Sequence, residues 1–266
     1  MEPRRRREES HDQRPDPRAN LSDRYRVPRK SVAGSDSDAS STPRNQHARA
    51  LFAPLASDYD RWSRILSLGQ DPRWRQLMVD GMDLEAGSLV ADVATGTGLV
   101  AEQLRVRGCR VIAVDQSPQM LAEAAARGFD VVRARAEALP FGDESFDGLT
   151  FTYLLRYVDD PLACMRELVR VLRPGGAIGM VEFGLPRGLW HRLWIAYTKV
   201  VLAGLSSLIS PAWKDAGAFL GPSISEFHRR YPGNALVELW EEAGIRDVRR
   251  KEMSLGGGLI MWGRRG

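Results

Sequence analysis

The residues best suited to chemistry lie in two short stretches, 89–101 (LVADVATGTGLVA) and 111–117 (VIAVDQS). In the first, Gly96-Thr97-Gly98 follows an apolar run and precedes a helical segment. Because glycine has no side chain, backbone N–H groups in such a turn can close on a ligand, and the helix N-terminus beyond favours negative charge. Asp115 follows about twenty residues later, where a carboxylate accepts both hydroxyls of a ribose. The two stretches predict a nucleotide-like cofactor.

The glycine spacing alone leaves other interpretations open. Gly96-x-Gly98-x-x-Ala101 also satisfies the dinucleotide fingerprint in its G-x-G-x-x-A form, so NAD is the alternative cofactor. A glycine turn that binds no ligand is the third interpretation.

Apolar runs and turn residues predict the elements that position these residues. Strands are predicted at 89–93, 111–115, 131–132, 146–152 and 177–183, with helices between them that begin after Gly98, Ser117 and Asp160. Strand and helix alternate, which indicates parallel crossovers with helices on both faces. Strands at 245–253 and 255–263 are predicted to complete the sheet as an antiparallel pair. The predicted fold class is α/β, with a doubly wound, mostly parallel sheet.

The N-terminal segment differs from the rest of the chain in composition. Residues 1–50 contain 12 Lys and Arg against 8 Asp and Glu, while residues 51–266 contain 26 of each, so the net charge of +4 lies in the first segment. With few apolar residues this segment cannot offset its chain entropy. We expect a disordered basic tail over 1–50 and one domain over 51–266. The alternative is a basic arm that contacts anionic lipid or nucleic acid.

Length and cysteine use indicate the general class of protein. A chain of 266 residues with 43% apolar residues is sufficient for one domain with a substantial core. Cys109 and Cys164 lie in apolar patterns, which favours two buried thiols over a disulfide, and we expect no metal site. No apolar segment follows the N-terminal charges, so we expect no cleavable signal and a cytoplasmic protein.

Two helical segments lie outside the predicted sheet. Apolar residues at helical spacing over 51–82 predict a helical preface that packs across the cofactor corner, where Tyr59 and Trp62 are either core aromatics or a wall over the ligand. A helical insertion is predicted over about 187–230. Its stretch 189–209 is apolar but carries three basic or imidazole side chains, whereas a spanning helix needs about twenty cleaner residues. We therefore expect a buried or lid helix there, with contact at a membrane surface as the alternative.

Several motifs give the chain a recognisable pattern. Those shared with many class I methyltransferases are VADVATGTG, VIAVDQSPQML, ALPFGDESFD and RVLRPGG, and the more specific ones are FAPLASDYDRWSRILSLGQDPRWR, LLRYVDDPLACMRELVRVLRPGG, MVEFGLP and AFLGPSISEF. Over about residues 51–263 the chain resembles the class I methyltransferases that use S-adenosylmethionine and, within them, the ubiquinone/menaquinone biosynthesis C-methyltransferase family. The resemblance implies a Rossmann-like seven-stranded sheet with its last strand antiparallel, S-adenosylmethionine as cofactor, and an apolar quinol as methyl acceptor.

The family's cofactor-binding positions carry over onto the matching motifs. The resemblance implies that the glycine loop holds the methionine end of the cofactor and that the acid after the second strand holds its ribose. The implied cofactor-binding residues are Tyr59, Asp92, Ala94, Gly96, Thr97, Gly98, Asp115, Gln116, Met120, Arg135, Ala136, Glu137 and Thr152.

Two of these positions depart from the family pattern. Ala94 replaces the first glycine of the loop, a change that we expect to cost little. Arg135 replaces the acid that usually lies beside the adenine amino group, and arginine cannot accept a hydrogen bond. We expect Glu137 or a backbone carbonyl to serve instead.

The catalytic candidates follow from the needs of an aromatic acceptor. A ring carbon becomes nucleophilic when the neighbouring hydroxyl loses its proton, so a base or a cation must lie near that oxygen. Arg156 is the best cation, and the alternative for it is a structural ion pair with Asp159 or Asp160. The resemblance places an Arg-Asn pair where this chain has Arg156-Tyr157. The catalytic candidates are Arg156 as the cation, Tyr157 and His191 as possible relays, and Glu182 as a base or a positioning residue.

Other functions compete with quinol methylation. The acceptor can instead be another small phenol, a lipid or a polyketide. A different class is a non-catalytic, methyltransferase-like binding subunit, for which Arg135 and Tyr157 would be signs of lost function, although the intact glycine loop and Asp115 argue against it. We expect a small-molecule acceptor, no nucleic acid, and peripheral contact with the inner face of the membrane as an alternative to a purely cytoplasmic location.

Overall fold

The computed structural model describes residues 42–266, so residues 1–41 of the tail predicted over 1–50 lie outside the described residues. The described chain opens with helix α1 (Pro43–Phe52). Thr42 caps it by accepting a hydrogen bond from the backbone N–H of Asn45 at 3.3 Å, and Pro43 occupies the first turn, where its missing N–H costs nothing. The predicted domain boundary at residue 51 is therefore too late by one helix. Its mostly polar sequence hid that helix, but Asn45 and Ala48 are buried.

Seven strands form one sheet. They are β1 (Leu89–Val93), β2 (Arg110–Asp115), β3 (Asp130–Arg133), β4 (Phe146–Thr152), β5 (Leu172–Phe183), β6 (Ile245–Met253) and β7 (Gly258–Arg265). Their order is β3-β2-β1-β4-β5-β7-β6, with β1 to β5 parallel and β7 antiparallel to both of its neighbours. This confirms the predicted fold class. A 3₁₀ turn at Ser254–Gly256 delays the start of the last strand from the predicted residue 255 to residue 258.

Helices cover the sheet. They are α2 (Tyr59–Leu66), α3 (Gln70–Asp80), α4 (Leu99–Val106), α5 (Pro118–Ala126), α6 (Pro161–Arg170), α7 (Gly188–Ala196), α8 (Ala203–Ile209), α9 (Pro211–Arg230) and α10 (Ala235–Glu242), with a π-helix at Tyr197–Leu202. Every residue of β1 is buried, as expected for a central parallel strand covered on both faces. On one face the core joins Trp74 and Met78 of α3 to the sheet, and elsewhere Trp240 of α10 packs on Phe151.

Two of the predicted helix starts have the expected caps. The Ser117 hydroxyl accepts from the backbone N–H of Met120 at 3.4 Å, and the Asp160 carboxylate accepts from that of Ala163 at 3.0 Å. In both cases proline occupies the first helical position. The carboxyl ends of β2 and β4, after which these two helices begin, lie at the same edge of the sheet.

The insertion departs from its prediction in one respect. The run Gly188–Ile209 comprises α7, the π-helix and α8, and among the described helices it is long and apolar enough to cross a membrane, judged by length and composition, with a mean hydropathy of 1.3. Of the predicted buried or lid helix, the buried alternative is wrong for the first part of this run, since α7 has no buried residue. Its inner face packs against α9, where Leu202 joins a small core with Leu55 and Trp213.

Candidate functional site

The carboxyl ends of β1, β2 and β4 border a cavity of about 890 Å³, part of it open to solvent, which we call the strand-end cavity. Parallel strands bring these ends together, so residues that follow different strands meet there. Eleven of the predicted cofactor residues line it: Tyr59, Ala94, Gly96, Thr97, Asp115, Gln116, Met120, Arg135, Ala136, Glu137 and Thr152.

The turn after β1 is open toward this cavity. Gly96 has φ of 58°, and a Cβ built on it meets no heavy atom within 4 Å, so its backbone faces free space. Ala94 also adopts a left-handed conformation, with φ of 54°. That conformation costs a non-glycine residue roughly 1 to 2 kcal/mol, so the expectation that alanine costs little at this position needs correction.

Asp115 joins the end of β2 to the turn. Its Oδ2 accepts from the backbone N–H of Gly96 at 2.9 Å, and its Oδ1 accepts from that of Ser117 at 2.8 Å. Burial raises the pKa of this carboxyl, and the backbone donors oppose that rise. Because a carboxylate has about four lone-pair sites, acceptor capacity remains for ligand hydroxyls.

Two predicted cofactor residues lie behind the cavity rather than in its lining. Asp92 is fully buried in β1 and accepts from the hydroxyls of Thr95 at 2.6 Å and Thr150 at 2.7 Å. Burial raises its pKa to about 6, although both hydrogen bonds lower it. Gly98 faces inward, because a Cβ there would lie 3.4 Å from the ring of Phe129. Both residues shape the turn from beneath.

The helical preface packs across the turn, as predicted. The Thr97 hydroxyl donates to Oδ1 of Asp60 at 2.6 Å, and Oδ2 of Asp60 pairs with Arg127. Helix α2 is thereby tied to both the glycine turn and the end of α5. This contact gives Thr97 a structural role besides its place in the cavity lining.

Helix α1 also reaches the strand-end cavity, which the sequence did not predict. The Asn45 amide donates to Oε1 of Glu137 at 2.8 Å, and Oε2 of Glu137 lies 3.7 Å from Nε of Arg135. The expectation that Glu137 takes over from the missing acid is consistent with this placement, since its carboxylate lines the cavity. The cap signal of Thr42-Pro43 was the available clue to α1.

A buried polar cluster, which the sequence did not predict, separates this cavity from a second one. Arg75 Nε donates to both carboxylate oxygens of Asp71 at 2.9 Å, and its Nη1 donates to the Thr152 hydroxyl at 3.1 Å. The Tyr153 hydroxyl donates to Asp71. Tyr153 has a left-handed backbone, with φ of 56°, directly after β4. The i,i+4 spacing of Asp71 and Arg75 was the signal for the pair.

The second cavity, which we call the helical cavity, encloses about 1280 Å³, again partly open to solvent. It shares the side chains of Phe52, Tyr59, Tyr153 and Tyr157 with the strand-end cavity. The remaining lining is mostly apolar and includes Leu55, Leu66, Trp74, Phe183, Trp194, Tyr197, Leu202, Trp213, Leu220 and Ile224. The two cavities thus adjoin across a few aromatic rings.

Arg156 provides a buried cation in the wall of the helical cavity. Its Nε donates to Oε1 of Glu182 at 2.8 Å, with the two side chains 2% and 0% exposed, and its Nη1 donates to the Ser223 hydroxyl at 2.8 Å. The predicted alternative partners were wrong: Asp159 lies 3.6 Å from Arg44, and Asp160 caps α6. Arg156 therefore forms its ion pair with Glu182 of the neighbouring strand β5, and not with an acidic residue close to it in sequence.

The other catalytic candidates are placed differently. Tyr157 lines both cavities, and its ring lies 5.0 Å from Cζ of Arg156. Burial raises the pKa of Tyr157, so the phenol stays protonated at neutral pH. Glu182 lines neither cavity and is the buried ion-pair partner of Arg156. His191 also lines neither cavity and stacks on Trp194 of α7, so the structure does not bring it to the site.

Known proteins resemble this chain over most of its length. The model of the ubiE/COQ5 methyltransferase family matches residues 41–265. The demethylmenaquinone methyltransferase of Paenarthrobacter aurescens is 34% identical over 226 residues, which cover 84% of this chain and 87% of that protein. The ubiquinone/menaquinone biosynthesis C-methyltransferase UbiE of Desulfotalea psychrophila is 34% identical, with 80% of this chain and 88% of that protein covered.

Solved structures support the fold. A SAM-dependent methyltransferase from Thermotoga maritima aligns with a TM-score of 0.58 and 20% identity, covering 83% of this chain and 100% of that one. A methyltransferase from Haloferax volcanii, solved in complex with the activator Trm112, aligns with a TM-score of 0.54 and 19% identity, covering 80% of this chain and 96% of that one. At such identity the likeness concerns the fold alone.

Proposed function

Because the chain belongs to the ubiE/COQ5 methyltransferase family, and is thereby an S-adenosylmethionine-dependent methyltransferase, we propose that it methylates a ring carbon of an apolar quinol. The observation that carries the proposal is the apolar helical cavity, which adjoins the strand-end cavity and has the buried Arg156 in its wall. A long apolar tail suits such a lining, and the cation suits the quinol oxygen.

The residues of the strand-end cavity fit S-adenosylmethionine. The open backbone at Gly96 leaves room for the methionine end, and Asp115 retains acceptor capacity for the ribose hydroxyls. We infer that Gln116 and Met120 flank the adenine and that Arg135, Ala136 and Glu137 lie at its exocyclic edge. When bound, this cofactor supplies a methyl group already activated on a sulfonium, so the protein mainly has to align the acceptor and exclude water.

Arg156 is the residue that we propose to activate the acceptor. A guanidinium has five N–H donors, and within residues 42–266 two of them are used by Glu182 and Ser223, which leaves donors for a quinol oxygen. Loss of the hydroxyl proton to solvent concentrates charge on that oxygen, and a fixed cation in the cavity wall stabilises it. The neighbouring ring carbon would then take the methyl group as the bond from that group to the sulfonium sulfur breaks, which would leave the neutral thioether as product, and the ring carbon would release its own hydrogen as a proton to solvent.

The aromatic boundary between the cavities sets the geometry of transfer. Tyr59, Tyr153 and Tyr157 lie between the two chambers, and Tyr153 is fixed by its bond to Asp71. Such fixed rings orient a flat acceptor so that its reactive carbon faces the strand-end cavity. Binding energy from the tail in the helical cavity then contributes to alignment at the reacting atoms.

The test is methyl transfer from isotope-labelled S-adenosylmethionine to a panel of demethylated quinols, simple phenols and polyketide phenols. We expect label on a quinol ring carbon, with kcat/KM rising as the apolar tail lengthens. Arg156→Lys keeps the charge but loses the planar fork, so it should lower kcat strongly while leaving cofactor affinity unchanged. Preferred turnover of a polyketide or a simple phenol would replace the quinol as acceptor, and wild-type turnover by Arg156→Lys would remove Arg156 from the chemistry.

A lipid-like acceptor has a consequence for location. We propose that the protein works in the cytoplasm at the inner face of the membrane, because a long-chain quinol partitions into the bilayer rather than into water. The same reasoning gives no role to a nucleic acid.

A further inference from the structure

The run Gly188–Ile209 presents an apolar surface to solvent, which we call the outer face. Its six exposed aliphatic side chains, each at least 43% exposed, are Leu189, Leu193, Val200, Val201, Leu205 and Leu208. They recur mostly every three or four residues, so they form a continuous stripe along the helical run rather than isolated contacts. Soluble proteins rarely expose such a stripe unless it is an interaction surface.

The inner face of the same run is fixed to the protein. Thr198, Leu202 and Ser206 are buried against α9. The approach is very close, since a Cβ added at Gly217 would lie 2.2 Å from the Ser206 hydroxyl oxygen, and one at Gly221 would lie 3.3 Å from the Thr198 side chain. Because the run packs so closely along α9, its inner face is covered by the protein, and its outer face is the side that a partner can contact.

The charges along this run have one sign. Arg192 and Lys199 are exposed, and the sequence contains no acidic residue between Glu182 and Asp215. Apolar side chains together with cations on a helix that lies in the surface plane suit the headgroup region of an anionic bilayer. A second copy of the chain fits less well, because an isologous contact would bring the same cations toward each other.

We propose that the outer face of Gly188–Ile209 docks in the plane of an anionic phospholipid bilayer. Trp194 and Tyr197 of the same run line the helical cavity, so docking would place the mouth of that cavity at the lipid surface. The docking itself stands on the outer face alone, and the delivery of a quinol to the cavity rests on the proposed function. The cations make the docking sensitive to salt, whereas the aliphatic stripe does not.

The test is flotation of the full-length protein with vesicles of phosphatidylcholine alone or with about one-third phosphatidylglycerol. We expect the protein to bind the anionic vesicles more strongly. Leu208→Glu, which places a charge in the apolar stripe, should weaken that binding roughly tenfold or more. Lys199→Glu should weaken binding less and mainly at low salt. The matched controls are Val106→Glu, whose wild-type side chain is 80% exposed on α4, and Lys251→Glu on β6, which should bind within about twofold of wild type.

A second readout separates this proposal from the proposed function. All four variants should methylate a short-chain, water-soluble quinol at the wild-type rate, while Leu208→Glu should be slow with a long-chain quinol held in anionic vesicles. Vesicle binding by Leu208→Glu equal to that of wild type overturns the docking proposal, whatever the activity. A concentration-dependent dimer that Leu208→Glu abolishes, without vesicle binding, assigns the outer face to a second copy instead. Retained vesicle binding with no quinol turnover supports docking and contradicts the acceptor.

Discussion

The strand-end cavity and the helical cavity share four aromatic side chains but are built in different ways. The first is lined mostly by residues that end or directly follow strands, so the backbone of a parallel sheet fixes their positions, and a short stretch such as 94–97 supplies several of them. The second draws its lining from helices α1, α2, α3 and α9, from the π-helix and from α7. Its shape therefore depends on side-chain packing between segments that are distant in sequence.

The difference concerns energetics as well as construction. In the strand-end cavity, the backbone N–H groups of Gly96 and Ser117 hold the Asp115 carboxylate, so the geometry of its remaining acceptor sites is set before a ligand arrives. In the helical cavity, burial of apolar area provides the affinity, and the polar group that matters is an arginine held by a buried partner. Changes to the first cavity should alter binding of the cofactor, and changes to the second should alter stability and turnover.

The largest expected effect is at the buried ion pair of the helical cavity. Arg156→Ala leaves Glu182 charged and buried without its cation, which should lower the free energy of unfolding by about 3 to 5 kcal/mol. The control is Arg166→Ala, which breaks an exposed pair with Glu242 and should cost about 1 kcal/mol or less. Urea unfolding measures both. Equal effects of the two variants would show that the Arg156 pair is not an essential part of this cavity.

The next effect concerns pH and the strand-end cavity. The pKa of Asp92 is about 6 in the folded protein, whereas in the unfolded chain the pKa of this carboxyl is 3.8. Between these values the native state binds more protons, so the free energy of unfolding should fall as pH rises through this window, by about 3 kcal/mol, and stay level above it. Chemical unfolding at several pH values, with Asp92→Asn as the non-titrating control, measures the slope. An unchanged slope in Asp92→Asn would assign the pH dependence to other groups.

The third effect tests the cofactor contact itself. Asp115→Ala removes the acceptor for the Gly96 and Ser117 N–H groups and for the proposed ribose hydroxyls, so cofactor binding should weaken by roughly 2 to 3 kcal/mol. Calorimetry with S-adenosylhomocysteine measures it, with Asp130→Ala at the exposed start of β3 as control. Binding of NAD in preference to this ligand would contradict the cofactor assignment altogether. Unchanged affinity in Asp115→Ala would move the ribose elsewhere.

The sequence predicted the strand-end cavity better than the helical cavity, and one physical reason explains both results. Alternating strands and helices, with caps at Ser117 and Asp160, were enough for the sheet and for the place of the glycine turn and Asp115, because those residues lie next to the elements that position them, while the family resemblance supplied most of the remaining strand-end lining. The Arg156–Glu182 pair was not predictable as a contact, because 26 residues and a change of strand separate the partners. Likewise the exposure of Leu208 depends on which face of its helix α9 covers.

The smallest effects concern the N-terminal edge of the domain, where the structure moves a boundary that composition had placed at residue 51. Deletion of residues 1–41 should leave the melting temperature and cofactor affinity unchanged, because a segment with few apolar residues has little to contribute to a core. Asn45→Ala, only four residues further on, removes the hydrogen bonds to Glu137 and Thr42 and should cost about 1 kcal/mol of stability, with a several-fold loss of cofactor affinity.

Thermal unfolding and calorimetry on the two proteins measure the contrast directly. Ala50→Ser on the exposed side of α1 is the control for a generic effect of substitution in that helix. A fall of several degrees on deletion of 1–41 would show that the segment packs on the domain. Wild-type behaviour of Asn45→Ala would show that α1 is not needed to complete the strand-end cavity. The expected result, a neutral deletion beside a costly single substitution, places the edge of the functional domain at Thr42, because the cap of α1 and the first side chain of the cavity lie there together.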